Sequence, residues 1–252
     1  MQLSELLEEK YDQYNRKEFI EGDPVCIPHM FSQSQNIEIA GFLAAALAWG
    51  QRNTIIRNAK DLISMMGNDP YYFLMHADEN DLIDLGSFTH RTFNSIDAHY
   101  FIKALANIYR KYESMYQIFR KAYEREGSIE AGLKNFRELF FELPHLARTE
   151  KHIADIRKGA AAKRLNMFLR WMVRSDDRGV DFGIWKDIPA SALYIPLDIH
   201  TGKVARGLGL LTRRQNDWKA VLELTGNLKR FDPNDPVKYD FALFGMGIFE
   251  GK

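Results

Sequence analysis

The chain has 252 residues, 46% of them hydrophobic and 27% charged, with 34 Lys and Arg balanced by 34 Asp and Glu; this suits a globular protein of one large domain or two small lobes around a sizeable core. The single cysteine, Cys26, excludes an internal disulfide and a cysteine-ligated iron–sulfur cluster and argues for a reducing compartment. The polar, acidic opening Met1–Lys10 is unlike a signal peptide, and the longest apolar run, Ile39–Trp49, is too short to span a bilayer, so a cytoplasmic protein without membrane contact is expected.

Nearly every segment predicts helix. Leu3–Lys17 puts Leu3, Leu6, Leu7, Tyr11 and Tyr14 on one face, and Gly22-Asp23-Pro24 ends it, with Pro28 extending the loop. Asn36 can cap a helix from Ile37 to about Trp49 that is apolar nearly all round and so belongs in a core. Thr54–Met66 is amphipathic and stops at Gly67-Asn68-Asp69-Pro70. Apolar spacings of three and four predict helices over Asp97–Tyr112, Met115–Arg125 and Ser128–Phe141, with Pro144 closing the last. Helices over Arg148–Gly159 and Ala162–Val173 follow, then an irregular stretch Arg174–Ile195, then a helix after Asp198. Trp218–Leu228 and Tyr239–Ile248 finish the series, and Asp235 can cap the last helix with Pro236 at its first position. No strand-rich segment, repeat or low-complexity tract interrupts this pattern, so the expected fold class is all-α.

The charge is uneven. Residues 1–150 hold 16 Lys and Arg against 22 Asp and Glu, whereas residues 151–252 hold 18 against 12. The basic part reads either as a phosphate-facing surface or as solvated faces. There is no Gly-rich phosphate loop of the Walker or Rossmann kind, and the seven histidines lack H-E-x-x-H spacing. Neither a cofactor nor a metal is expected.

Ile195 to Leu210 reads I-P-L-D-I-H-T-G-K-V-A-R-G-L-G-L. Asp198 lies between a proline-containing extended run and an amphipathic helix, the place of an N-cap, where backbone N–H groups and the helix dipole favour a carboxylate. The segment closely resembles P-x-D-x-H-V-x-R-x-x-x-R-L-G-L of the helix-hairpin-helix (HhH-GPD) DNA glycosylases, the endonuclease III and 8-oxoguanine glycosylase superfamily, in which this aspartate is catalytic. That superfamily carries a hairpin of the form L-P-G-x-G-x-K-T-A. The matching run here is Arg157-Lys158-Gly159-Ala160-Ala161-Ala162-Lys163-Arg164-Leu165. Gly159 falls on the first hairpin glycine, Ala161 replaces the second, and Lys163 falls on the catalytic lysine. Asn166-Met167-Phe168-Leu169-Arg170 resembles the K-x-A-x-x-F-L-R run of some bacterial 8-oxoguanine glycosylases. Lys163 and Asp198 are thirty-five positions apart, wider than in most of the superfamily, so Ser175–Tyr194 reads as an insertion. Archaeal 8-oxoguanine glycosylases also have a longer separation.

The resemblance implies a two-lobed helical HhH-GPD-like fold, with the helix-hairpin-helix over about 148–173. It implies base excision from double-stranded DNA, with the Lys163 amine attacking C1′ of a flipped nucleoside and the Asp198 carboxylate stabilising positive charge on the sugar. The helix N-terminus and Arg164 would favour a neutral amine, and the Schiff base formed can lead to strand cleavage. Hairpin N–H groups at Gly159 and Ala161 would meet phosphates, with Lys158, Arg164, Arg170 and Arg174 adding charge. Arg170 and Arg174 can instead pair with Asp176, Asp177 or Asp181. Gln51, after the apolar helix, matches the glutamine that fills the space left by the flipped base. Trp171 and Trp185 can wall a base pocket or anchor the core. Asp240-Phe241-Ala242-Leu243-Phe244-Gly245-Met246-Gly247 resembles the superfamily's closing helix, whose small residues allow tight packing. Lys186 is an alternative nucleophile without a superfamily position. His200 matches the family histidine and orients the helix start, while Asp181 and Asp187 are loop carboxylates without a clear partner.

Over nearly its full length the chain, particularly K-R-L-N-M-F-L-R-W-M-V-R, P-L-D-I-H-T and D-P-V-K-Y-D-F-A-L-F-G, also resembles an uncharacterised bacterial family known only as a domain of unknown function. Two other readings remain open: a non-catalytic nucleic-acid-binding protein on the same scaffold, and an enzyme acting on a nucleoside or another small molecule. A monomer is expected.

Overall fold

The computed structural model describes residues 2–251, Asp84 through its backbone alone. The chain is mostly helical, with 66% of it in helix and 2% in strand, in accord with the all-α expectation. It divides into two compact units, one formed by Met1–Glu21 with Asp155–Lys252 and the other by Gly22–Ala154.

The helices in chain order are α1 (Leu3–Tyr14), α2 (Glu18–Glu21), α3 (Ser34–Leu47), α4 (Arg52–Met65), α5 (Pro70–His76), α6 (Glu79–Asp84) and α7 (Ser95–Tyr112). There follow α8 (Met115–Glu126), α9 (Ile129–Phe140), α10 (Lys163–Val173), α11 (Ile199–Gly207), α12 (Trp218–Leu228) and α13 (Tyr239–Phe249). A two-residue hairpin pairs Thr89–His90 with Phe93–Asn94, antiparallel, with His90 opposite Phe93. Among the described residues no helix is long and apolar enough to cross a membrane.

In the continuous unit α3 is buried from Asn36 to Leu47, as its all-round apolar sequence requires. Its one acid, Glu38, is satisfied by the Tyr109 hydroxyl and the Met115 N–H, each donating at 2.6 Å. Asn36 is not the cap: it lies inside the first turn, and its Oδ1 accepts from Tyr71 N at 2.7 Å. α5 and α6, absent from the sequence expectation, begin at Asp69-Pro70 and at an Asp78 capping box. These caps make short helices out of segments that look like loop.

The other unit is built round α13, which packs on α1 and α11. Its glycines allow this. A Cβ on Gly245 would lie 2.2 Å from the Tyr14 ring, and one on Gly247 would lie 2.9 Å from His200 Cβ. The small residues of the closing helix therefore serve close packing. α10 is buried from Leu165 to Val173.

Two helix expectations give way. Arg148–Gly159 is not an α-helix but two 3₁₀ turns, Ala147–His152 and Ile156–Lys158. Ile153 is extended between them, and Asp155, also extended, caps the second turn by accepting from Arg157 N at 3.0 Å. Asp235 makes no cap hydrogen bond: its Oδ2 accepts from Arg174, and its Oδ1 is buried without a hydrogen-bond partner among the described residues. The basic C-terminal part is also offset in three dimensions. The acidic segment 1–21 joins it, so this unit carries 20 Lys and Arg against 18 Asp and Glu.

Candidate active site

α10 supplies the first half of the site. Lys163, Arg170 and Arg174 recur at spacings of seven and four, so they share one face of that helix. Arg170 and Arg174 are 3% and 1% exposed, and a buried guanidinium needs anionic partners. Arg170 donates to Asp240 Oδ2 and, at 3.2 Å, to Asp181 Oδ1, and it stacks 4.2 Å from the Phe241 ring centroid. Arg174 donates to Asp235 Oδ2 at 2.8 Å, Asp176 Oδ2 at 2.7 Å, Asp181 Oδ2 at 3.0 Å and the Tyr11 hydroxyl at 2.8 Å. Arg170 and Arg174, expected on a DNA-facing surface, are instead consumed by a buried ion network and cannot reach phosphate. Their pairing with Asp176 and Asp181 is the reading the structure supports, and Asp181 gains a role as their shared anion.

The stretch Ser175–Tyr194 makes this network possible. It folds back on the C-terminal end of α10, where Phe182 N donates to Trp171 O at 2.8 Å and Trp185 N to Met172 O at 2.9 Å. Gly183 has φ +55°, and a Cβ there would lie 2.4 Å from Ser175 Cβ, so the turn requires glycine. Trp171 and Trp185 are 0% and 2% exposed. They are core anchors, Trp185 edge-on to Phe168, rather than walls of a base pocket.

α11 supplies the second half. Asp198 is its N-cap, with Oδ1 accepting from Thr201 N at 2.9 Å, as the sequence predicts. The Asp198 carbonyl accepts from Asn216 Nδ2 at 2.9 Å, and Asn216 Oδ1 accepts from Arg206 Nη2 at 2.6 Å. His200 is exposed, with its Cβ close to Gly247.

α13 joins the halves through Asp240, which is buried in its first turn. Burial pushes the Asp240 carboxyl up to about 7; Arg170 opposes that rise, the Asp198 charge adds to it, and the Lys163 charge opposes it. Lys163 and Asp198 therefore both lie within electrostatic reach of one carboxyl. This gives a half-buried amine, a half-buried fixed carboxylate and a buried carboxyl that titrates near neutrality. Sequence reasoning misses Asp240, although a signal exists: one acid in the first turn of an otherwise apolar helix must be paired or neutral.

The turn before Lys163 departs from the expected register. Gly159 has φ +82°, and a Cβ there would meet nothing within 4 Å, so it opens to solvent. Ala161 keeps a negative φ, and the left-handed residue is Ala162, at φ +51°. No side chain caps the start of α10. The turn is held from outside: Trp218 N donates to Gly159 O at 2.9 Å, and Ala160 bridges to Asp217. Lys158 is exposed, and Arg164 is half-buried, with its pKa lowered to about 10 by desolvation. Lys186 and Asp187 are exposed. Gln51 is exposed at the start of α4, in the other unit.

A family profile matches residues 23–249, nearly the whole chain. The chain belongs to the DUF2400 family. That family is described as a protein of unknown function, so membership brings no activity to this DUF2400 protein. No curated protein and no solved structure matches it. These comparisons carry no link to the DNA glycosylases, and the resemblance of this DUF2400 chain to them rests on its residues alone. Among its described residues no group of three or more His, Cys, Asp or Glu could hold a metal ion.

Proposed function

We propose that this protein is a DNA base-excision glycosylase-like enzyme in which the 3₁₀ turn Ile156–Lys158 stands where the first helix of the hairpin is expected, with Lys163 as nucleophile and Asp198 as its carboxylate partner. One observation carries the reading: the stretch Asn216–Trp218 ties the two helix starts, Asn216 donating to the Asp198 carbonyl at 2.9 Å and Trp218 N to the Gly159 carbonyl of the turn before Lys163 at 2.9 Å. Two helix starts, at α10 and α11, deliver the amine and the carboxylate.

In the proposed reaction the neutral Lys163 amine attacks C1′ of a flipped nucleoside. The C1′–N bond breaks, and the base leaves with its electron pair and takes up a proton. Asp198 stabilises the positive charge that develops on the sugar. The bound amine then gives up a proton, for which Asp198 is the carboxylate partner; the C1′–O4′ bond breaks as the C1′=N iminium forms, and the ring oxygen takes up a proton to become the C4′ hydroxyl. β-Elimination of the 3′ phosphate from the iminium then cleaves the strand. The open turn at Gly159 and the uncapped start of α10 support docking to phosphates through backbone N–H groups.

Borohydride trapping on duplexes carrying a panel of base lesions and abasic sites tests this. The expected result is a covalent protein–DNA adduct that disappears in Lys163→Ala and weakens strongly in Asp198→Asn. Absence of both adduct and base release across the panel sinks the proposal. Salt-dependent duplex binding that is indifferent to both substitutions would point to a non-catalytic binder.

A further inference from the structure

The segment after α11 reads in the sequence only as a connection. It runs from Thr212 to Asp217 into the start of α12 and is fixed at several points. Arg206 Nε donates to Arg213 O at 2.8 Å, and Asn216 links Arg206 to the Asp198 carbonyl. Trp218 N donates to Gly159 O at 2.9 Å, and Asp217 bridges to Ala160. The loop therefore flanks the turn that precedes Lys163 and is tied to both halves of the site.

Its outer side is a shallow depression of about 490 Å³ lined by Thr212, Arg213, Arg214, Gln215, Lys219 and Glu223. The carboxylates there have partners. Asp217 accepts from Arg213 Nε at 2.6 Å and from Ala220 N at 3.0 Å, and Glu223 accepts from Thr212 N and Oγ1 at 2.6 Å. Arg214 and Lys219 are exposed on this frame, and Lys158 is exposed in the turn to which the loop is tied. Arg214 and Lys219 are thus solvent-facing cations on a loop tied to an open backbone turn, and cations held in this way can neutralise phosphates of a nucleic-acid strand.

We propose that the 212–219 loop is a second phosphate-contacting element for duplex DNA, acting beside the Gly159 turn. It rests on the glycosylase reading for the choice of duplex as partner. On this view the turn and the loop grip the backbone together, and Asn216 connects that grip to Asp198.

Fluorescence anisotropy of the full chain with a duplex carrying an abasic-site analogue, from 50 to 200 mM salt, measures the contribution. Removing two phosphate contacts lowers the slope of log affinity against log salt by about 1.8. Arg214→Ala/Lys219→Ala is expected to show that drop with weaker binding, and Arg214→Lys/Lys219→Arg to keep the wild-type slope. Thermal melts check that all variants fold. Wild-type binding with an unchanged slope in the alanine variant overturns this inference alone. Failure of lysine trapping together with the expected drop overturns the enzymatic reading and leaves the loop standing. No duplex binding by the wild type overturns both.

Discussion

The side-chain amide of Asn216 donates to the backbone carbonyl of Asp198 across 2.9 Å, and its carbonyl accepts from Arg206 at 2.6 Å. Both ends of one side chain are thus spent on fixing where α11 begins. Gly202 leaves room for this, since a Cβ there would lie 2.7 Å from Asn216 Oδ1 and 2.9 Å from Arg206 Nη1.

Asn216→Ala is expected to cost about 1–3 kcal/mol, because it strands polar partners. Gly202→Ala disrupts the same arrangement by intrusion. The two costs should not add, so Gly202→Ala in the Asn216→Ala background should be nearly neutral. Urea unfolding of the four proteins in this cycle measures the coupling. Additive costs would refute the shared role.

Gly245→Ala forces a methyl group into the Tyr14 ring, at 2.2 Å. Overpacking of this kind costs about 1–3 kcal/mol. The expected sign is loss of α1 docking, read as faster proteolysis within residues 1–21. Tyr14→Ala should relieve the strain while giving up the hydrogen bond from the Tyr14 hydroxyl to Glu250. Unchanged proteolysis in Gly245→Ala counts against the packing account.

Arg174→Met removes the cation shared by Asp176, Asp181 and Asp235. Burial works against the Arg174 charge, and these carboxylates hold it protonated above its ordinary value. Stranding buried acids costs about 3–5 kcal/mol. Asp235→Asn added to Arg174→Met should recover part of that loss, as measured by denaturant midpoint.

Asp240 gives a pH prediction. Folding raises its carboxyl from 3.8 to about 7, so the folded state binds more protons than the unfolded state across that window. Its contribution to stability is therefore greatest at the acid end and is lost as pH rises from about 4 to 7. Asp240→Asn mimics the protonated form and lacks this loss. The melting temperature of the variant should gain on wild type as pH rises through that range, and a constant difference would exclude the assignment. Below pH 4 a separate decline is expected in both proteins: against the burial that would raise it, Arg174 holds Asp176 down to about 2.

Features set by neighbours in sequence were legible. The Asp198 cap, the bounds of α12 and the buried character of α3 follow from side chains a few positions apart. The Arg170 and Arg174 network was legible in part: Asp176 and Asp181 stand near in sequence and were offered as partners, whereas Asp235 and Asp240 come from distant segments. Arg148–Gly159 misleads because its apolar spacing is helical while Asp155 offers the backbone a competing local bond. At the turn, the motif register puts the second special residue at Ala161, but the left-handed conformation belongs to Ala162. A match of letters cannot reveal which alanine bears the unusual φ. Lys163 is found by resemblance, and the fold of Ser175–Tyr194 back onto α10 could not be read from its own composition.

The unit that holds Lys163 and Asp198 is assembled from two pieces of chain, with Gly22–Ala154 threaded between them. A ribosome makes α1 before that insertion and α13 after it, yet these two helices pack together. The continuous unit can complete itself while its neighbour still lacks most of its residues. During that interval the apolar face of α1 has no partner to cover it. The segment that carries Lys163 and Asp198 therefore joins α1 in one unit only after Gly22–Ala154 has been made, and α13, which brings Asp240, comes later still.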